Sequence, residues 1–261
     1  MNLTATTFDL VNARECAAAS AAAYSARPTV SNQVTDTQAL VIEQAGCVII
    51  AFRGTSNARD FVTDAKFFRE LLVEEANGDR CEVHRGFLAA YESIIADLGH
   101  HLSCIVAGSR PVYITGHSLG GALAILVALE LKRQGFNIAQ VYTFGQPRVG
   151  NAAFKRLYDF SLGASTFRVV YQEDIVARVP HLPSVTDPYR HVGLEIFLPS
   201  FGGLIAAPSF VRLLASDAWG IYRAFIISKF TGAMDPIHDH KMVNYTTALA
   251  DSQLSTPRLS T

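Results

Sequence analysis

Gly116-His117-Ser118-Leu119-Gly120-Gly121 stands between a short β-like run, Pro111-Val112-Tyr113-Ile114-Thr115, and a helical run rich in Ala and Leu that continues to about Gln134. A strand, Gly-x-Ser-x-Gly and a helix in that order specify a sharp turn that presents the serine hydroxyl at the carboxyl end of a sheet. Bulky neighbours would clash at such a turn, and glycines at 116 and 120 leave room for it. The helix N-terminus beyond Ser118 offers backbone N–H groups to a developing oxyanion. The competing reading is a glycine-rich turn with a capping serine. The flanking pattern and the additional Gly121 favour a nucleophile.

The pattern extends outward on both sides. A first helix is expected over 8–24, then strands at 39–43 and 47–52 joined by a tight Ala45-Gly46 turn. Strand character returns near 66–72, followed by one long helix over 86–106. After the serine turn the chain reads strand 138–144, helix 150–162, strands 166–171 and 191–198, and helices near 210–230 and 240–249. Strands alternating with helices predict a single α/β domain over 1–261, with a mostly parallel sheet covered on both faces. Functional groups then belong on loops at the carboxyl ends of the strands. Ser252 to Thr261 is polar and reads as a loose tail.

Composition narrows the function classes. Hydrophobic residues make up 49% of the chain and charged residues 17%, which suits a large core. The net charge of −1 gives no electrostatic footprint for nucleic acid. The cysteines at 16, 47, 81 and 104 are unpaired in pattern and read as free, buried thiols, and their spacing resembles no zinc site. No metal or other cofactor is expected. The first ten residues carry Asp9 and no basic cluster, so they do not read as a signal peptide, which leans the expected location towards the cytoplasm. The uncharged stretches 111–129 and 196–211 are broken by turns, Gly and Pro, and neither reads as a membrane span.

A serine nucleophile needs a histidine base and a carboxylate to orient it. In this architecture the chain order is serine, acid, histidine. Asp174 follows the strand 166–171 and is the candidate acid, with Glu173 as its neighbour. His181, His191, His238 and His240 lie downstream. His191 starts a strand, whereas His238 and His240 share a loop before the last helix, and pattern alone leaves those two level.

Six ordered blocks resemble the class 3 lipases, the family of the fungal triacylglycerol lipases and feruloyl esterases. They are Val48 to Thr55, Val83 to Leu88, Ile114 to Gly121, Thr143 to Gly150, Asp174 to Pro180, and His240 to Tyr245. The resemblance covers about Ala39 to Leu249 and implies an α/β-hydrolase fold. It also implies Ser118, Asp174 and His240 as a catalytic triad, with Tyr245 five residues beyond the histidine. It places Thr55 in the oxyanion hole beside the backbone N–H of Leu119, and puts His84 and His191 in structural positions. Arg53, on a strand expected to be buried, calls for a carboxylate partner, with Asp60 and Asp64 as candidates.

The resemblance also implies a lid at 56–68, where Phe61 stands in place of a common tryptophan. The apolar stretch 193–237, which includes Phe197, Phe201, Phe210 and Trp219, is longer than in compact fungal members. It reads equally as a cap-like surface for acyl chains or a lipid interface, and as extra core or a contact between copies. The expected activity is serine-dependent hydrolysis of acylglycerol esters. Phospholipase A1 and feruloyl esterase are the enzymatic alternatives, and a lipid-binding scaffold is the non-enzymatic one.

Overall fold

The computed structural model describes residues 1–55, 68–105, 110–180, 187–199, 204–206 and 238–252. Most of the expected lid, His181, Asp60, Asp64, the expected helix at 210–230 and most of the stretch 193–237 lie outside these residues.

Among the described residues, eight strands form the main sheet: β1 (Val30–Asn32), β2 (Thr37–Gln44), β3 (Cys47–Phe52), β6 (Val112–His117), β7 (Ile138–Phe144), β8 (Thr166–Tyr171), β9 (Leu194–Leu198) and β10 (Ile205–Ala206). They lie side by side in the order given. β3, β6, β7, β8 and β9 are parallel, and the flanking strands at both edges run antiparallel. β4 (Arg69–Glu74) and β5 (Arg80–His84) make a separate antiparallel pair. β3 and β6 are buried at every position, as strands covered on both faces must be.

The covering helices follow from the apolar pattern. α4 (Leu119–Arg133) is apolar nearly all round, and Gly120 to Leu129 are buried without a break. It shares one face of the sheet with α2 (Arg85–Glu92), α3 (Ile95–Ile105) and α5 (Ala152–Leu162), around a core that includes Val48, Ile50, Ile114 and Phe154. α1 (Leu10–Ala22) and α6 (Met242–Asp251) cover the other face, over Ile49, Ala51, Tyr142 and Phe167. α1 is tied to β6 by a buried bond between the Ser20 and Thr115 hydroxyls, 2.9 Å. Arg14 reaches from α1 to the carbonyls of Leu249, Ala250 and Ser252, capping the end of α6. None of the helices among the described residues is long and apolar enough to cross a membrane.

Several boundaries differ from expectation, each for a local reason. The helix expected over 86–106 is two helices. Ser93 ends the first by bonding back to the Ala90 carbonyl at 2.7 Å and across to the Thr35 hydroxyl at 2.7 Å. α1 begins at Leu10 because the Asp9 carboxylate caps the Asn12 N–H at 2.9 Å. Asn151 caps α5 in the same way, accepting from Phe154 N at 2.9 Å. β9 begins at Leu194, after Gly193 at φ 68°, so His191 stands in a loop and not on a strand. The stretch 193–237 therefore begins inside the central sheet. Cys104 is exposed, contrary to the expectation of buried thiols, whereas Cys16, Cys47 and Cys81 are buried and free. Arg53 pairs with Asp36 at 2.6 Å, a residue on the β1–β2 turn that spacing did not suggest.

Candidate active site

Three adjacent parallel strands, β6, β7 and β8, end side by side, and the site is built on the loops that leave them. The chain leaves β6 at Ser118, whose backbone adopts φ 59° and ψ −129°. This is left-handed territory that a side-chain-bearing residue enters only when its surroundings force it. Gly116 and Gly120 make the turn possible. A Cβ at 116 would run into the Gly120 carbonyl, and one at 120 into the Phe52 carbonyl. The Ser118 N–H is held by the Phe144 carbonyl at 2.9 Å. The helix that starts at Leu119 leaves its first N–H groups without intrahelical acceptors. Ser118 itself is 2% exposed.

Gly145 follows β7 at φ 58°, with its N–H on the Val169 carbonyl. A Cβ there would lie 2.6 Å from Asp174 Oδ2 and 2.8 Å from His240 Nδ1. The glycine is thus the floor beneath the acid and the histidine. Its positive φ left no mark in the residue pattern beyond the glycine itself.

Asp174 lies just past β8 and is completely buried. Oδ1 accepts the N–H groups of Val176 at 2.8 Å and Ala177 at 3.4 Å. Oδ2 accepts from His240 Nδ1 at 2.8 Å and from the Tyr245 hydroxyl. Burial pushes the carboxyl pKa up, but the neighbouring His240 and the donors from His240 and Tyr245 outweigh it and hold it below the usual value. An ionised Asp174 can only accept, so Nδ1 of His240 carries a proton, and in the neutral ring Nε2 presents the lone pair. Among the described residues, Nε2 is buried without a hydrogen-bond partner. The Ser118–His240 bond is therefore not closed.

His238 and Glu173 fall away from this cluster. His238 is exposed, with Asp239 3.8 Å from its Nδ1, and Glu173 pairs with Arg178 at 3.0 Å. His191 is bonded through Nε2 to the Ala177 carbonyl at 2.8 Å, and His84 caps α2 by accepting from Gly86 N. Thr55 lies one residue beyond Gly54, where a Cβ would meet the His117 carbonyl at 2.6 Å and Ser118 Cβ at 3.2 Å. The end of the β3 strand thus runs directly alongside the serine turn.

His117 was not singled out by spacing. It is 5% exposed, and its ring stacks on that of His240 at 4.5 Å with 28° between planes. Burial and the adjacent His240 push its pKa down to about 3, so it is neutral at ordinary pH. Its Nε2 faces the His240 carbonyl at 2.6 Å, and its Nδ1 faces the Tyr24 hydroxyl at 2.7 Å. Among the described residues no group of His, Cys, Asp and Glu is placed to hold a metal ion.

The sequence matches the family described as Lipase (class 3) over residues 49–184. It is 35% identical over 154 residues to a secreted mono- and diacylglycerol lipase of Fusarium solani, covering 58% of this chain and 44% of that protein. It is 33% identical over 218 residues to a lipase of Rhizomucor miehei, covering 79% and 56%. The chain thus spans about half the length of these relatives. The solved triacylglyceride lipase of Rhizomucor miehei superposes with a TM-score of 0.58 at 28% identity, over 72% of this chain and 80% of that one. The Fusarium protein is named as secreted, which does not fit the cytoplasmic lean of residues 1–10.

Proposed function

The chain belongs to the class 3 lipase family, and on that footing we propose that it hydrolyses carboxylic esters of acylglycerols through an acyl-enzyme on Ser118. The observation that carries this reading is the buried Asp174–His240 hydrogen bond, with the His240 ring stacked on His117, the residue that precedes Ser118 in its strained turn. Ser118 is the nucleophile, His240 the base and Asp174 the acid that orients it. Nε2 of His240 takes the Ser118 proton as the oxygen attacks the ester carbonyl. The tetrahedral oxyanion is held by the N–H groups of Thr55 and Leu119 and the Thr55 hydroxyl. The imidazolium, stabilised by ionised Asp174, then protonates the departing alcohol. Water, deprotonated by the same histidine, releases the fatty acid and restores Ser118. No metal or cofactor enters these steps.

The names of the relatives point to mono-, di- and triacylglycerols as the substrate class. We assign the lid role to residues 56–68 and the acyl or lipid-interface surface to the part of 193–237 that follows β9, within one domain. The test is hydrolysis of p-nitrophenyl esters from acetate to palmitate, of emulsified diolein and triolein, and of a phospholipid, by wild type and Ser118→Ala. Serine-dependent release of fatty acid from the acylglycerols is expected. Release from phospholipid alone would replace acylglycerols by phospholipids as the substrate. Equal rates for wild type and Ser118→Ala, or no labelling of Ser118 by a fluorophosphonate, would overturn the mechanism.

A further inference from the structure

His117 and Tyr24 form a partly buried chain of hydrogen bonds that joins the two halves of the site. A carbonyl oxygen can only accept, so the 2.6 Å contact from His117 Nε2 to the His240 carbonyl requires the proton on Nε2. A neutral ring then has its lone pair on Nδ1, and Nδ1 accepts from the Tyr24 hydroxyl at 2.7 Å. The Tyr24 oxygen in turn faces the backbone amide of Gly54 and packs so closely on this glycine that any Cβ at 54 would overlap it. The chain therefore runs from Gly54, just past β3, through Tyr24 in the turn after α1 and the residue before Ser118, to the backbone of His240. The stacking of the His117 and His240 rings, 28° between planes, restricts the tilt of the second ring as well as its backbone.

His240 needs such a support. It lies on a single turn of 3-10 helix, His238–His240, before α6. Asp174 holds one ring nitrogen, which leaves the ring free to tilt about that bond. His117, at the end of β6, supplies a second point of attachment through the His240 carbonyl. Resting on the esterase reading of Ser118, we propose that Tyr24 and His117 are positioning residues that lock the His240 loop to the oxyanion strand. Base and oxyanion donors are thereby kept in register during attack.

Tyr24 is 38% exposed, so Tyr24→Phe deletes one oxygen without emptying the core. In His117→Gln the side-chain amide can still donate towards the His240 carbonyl, whereas His117→Leu cannot. The experiment measures kcat and KM on a soluble p-nitrophenyl ester, together with thermal melting, for wild type and these variants. It also measures the rate of fluorophosphonate labelling of Ser118 in each. For Tyr24→Phe the expected result is kcat lower by about 10- to 100-fold at unchanged KM, the scale on which misplacing a catalytic group acts. His117→Gln is expected to recover most of what His117→Leu loses. Wild-type kcat in a folded Tyr24→Phe, or a folded His117→Gln no better than His117→Leu, would overturn the proposal while leaving the esterase reading intact. A wild type that does not label at Ser118 would remove both.

Discussion

Tyr245 donates its hydroxyl to Asp174 Oδ2, the same oxygen that accepts from His240 Nδ1, so one carboxylate oxygen carries both the histidine and the tyrosine. The tyrosine is fully buried and stands on α6, five residues beyond His240. Its oxygen also accepts from Tyr171 N at 3.3 Å, which ties it to the end of β8.

Tyr245→Phe removes a donor to a buried charge while keeping the ring that fills the core. A hydrogen bond to a charged group is worth about 1.5–3 kcal/mol, and urea unfolding at neutral pH is expected to show a loss of that order. The Asp174 carboxyl also loses one of the donors that hold it low. The acid limb of kcat/KM is expected to move to higher pH.

Ser118→Gly should abolish hydrolysis and stabilise the fold. The serine occupies φ 59° and ψ −129°, a conformation costing about 1–3 kcal/mol in a residue with a Cβ. Glycine adopts it freely, and its extra freedom in the unfolded chain returns roughly 0.5–1 kcal/mol. A net rise in melting temperature accompanied by loss of activity is the expected outcome. A fall in melting temperature would show that the turn is not strained.

Gly145→Ala is the mirror case, in which a silent backbone position controls the chemistry. Its φ of 58° is unfavourable for alanine, and the new methyl would lie 2.6 Å from Asp174 Oδ2. The Asp174–His240 pair must shift, and a displacement near one ångström costs on the order of 100-fold in rate. Esterase kinetics at saturating substrate check this, with circular dichroism to show that the fold persists.

Stability is expected to fall on acidification through His117. Its folded pKa of about 3 lies below the ordinary 6.5, so between those values the unfolded chain binds a proton that the folded chain refuses. The stabilisation is complete above pH 6.5 and is lost as pH falls towards 3. His191, also held well below its usual value by burial and by Arg168 and Arg148, acts in the same direction. In His117→Gln the decline in unfolding free energy between neutral and mildly acidic pH should be shallower by one proton. An identical slope would mean that His117 is charged in the folded protein.

The elements around Ser118 were legible because local sterics and periodicity carry them. Gly116, Gly120 and the unbroken apolar run of α4 mark a sharp turn into a buried helix, and the strands at 138–144 and 166–171 appear at the expected residues. The ends of elements were less legible. They depend on single capping bonds such as Asp9 to Asn12 and Ser93 to Thr35, and the Ser93–Thr35 bond crosses from one element to another.

By itself, the sequence determined the alternating α/β architecture and the serine turn, because periodicity and glycine placement are properties of neighbours along the chain. Tertiary structure alone decided that Asp174 is held ionised in a fully buried site, that Gly145 underlies it, that Arg53 meets Asp36, and that His117 bonds both Tyr24 and His240. Each of these joins residues far apart in the chain. Burial, tautomer and charge state depend on what the folded sheet places within a few ångströms, which no local pattern records.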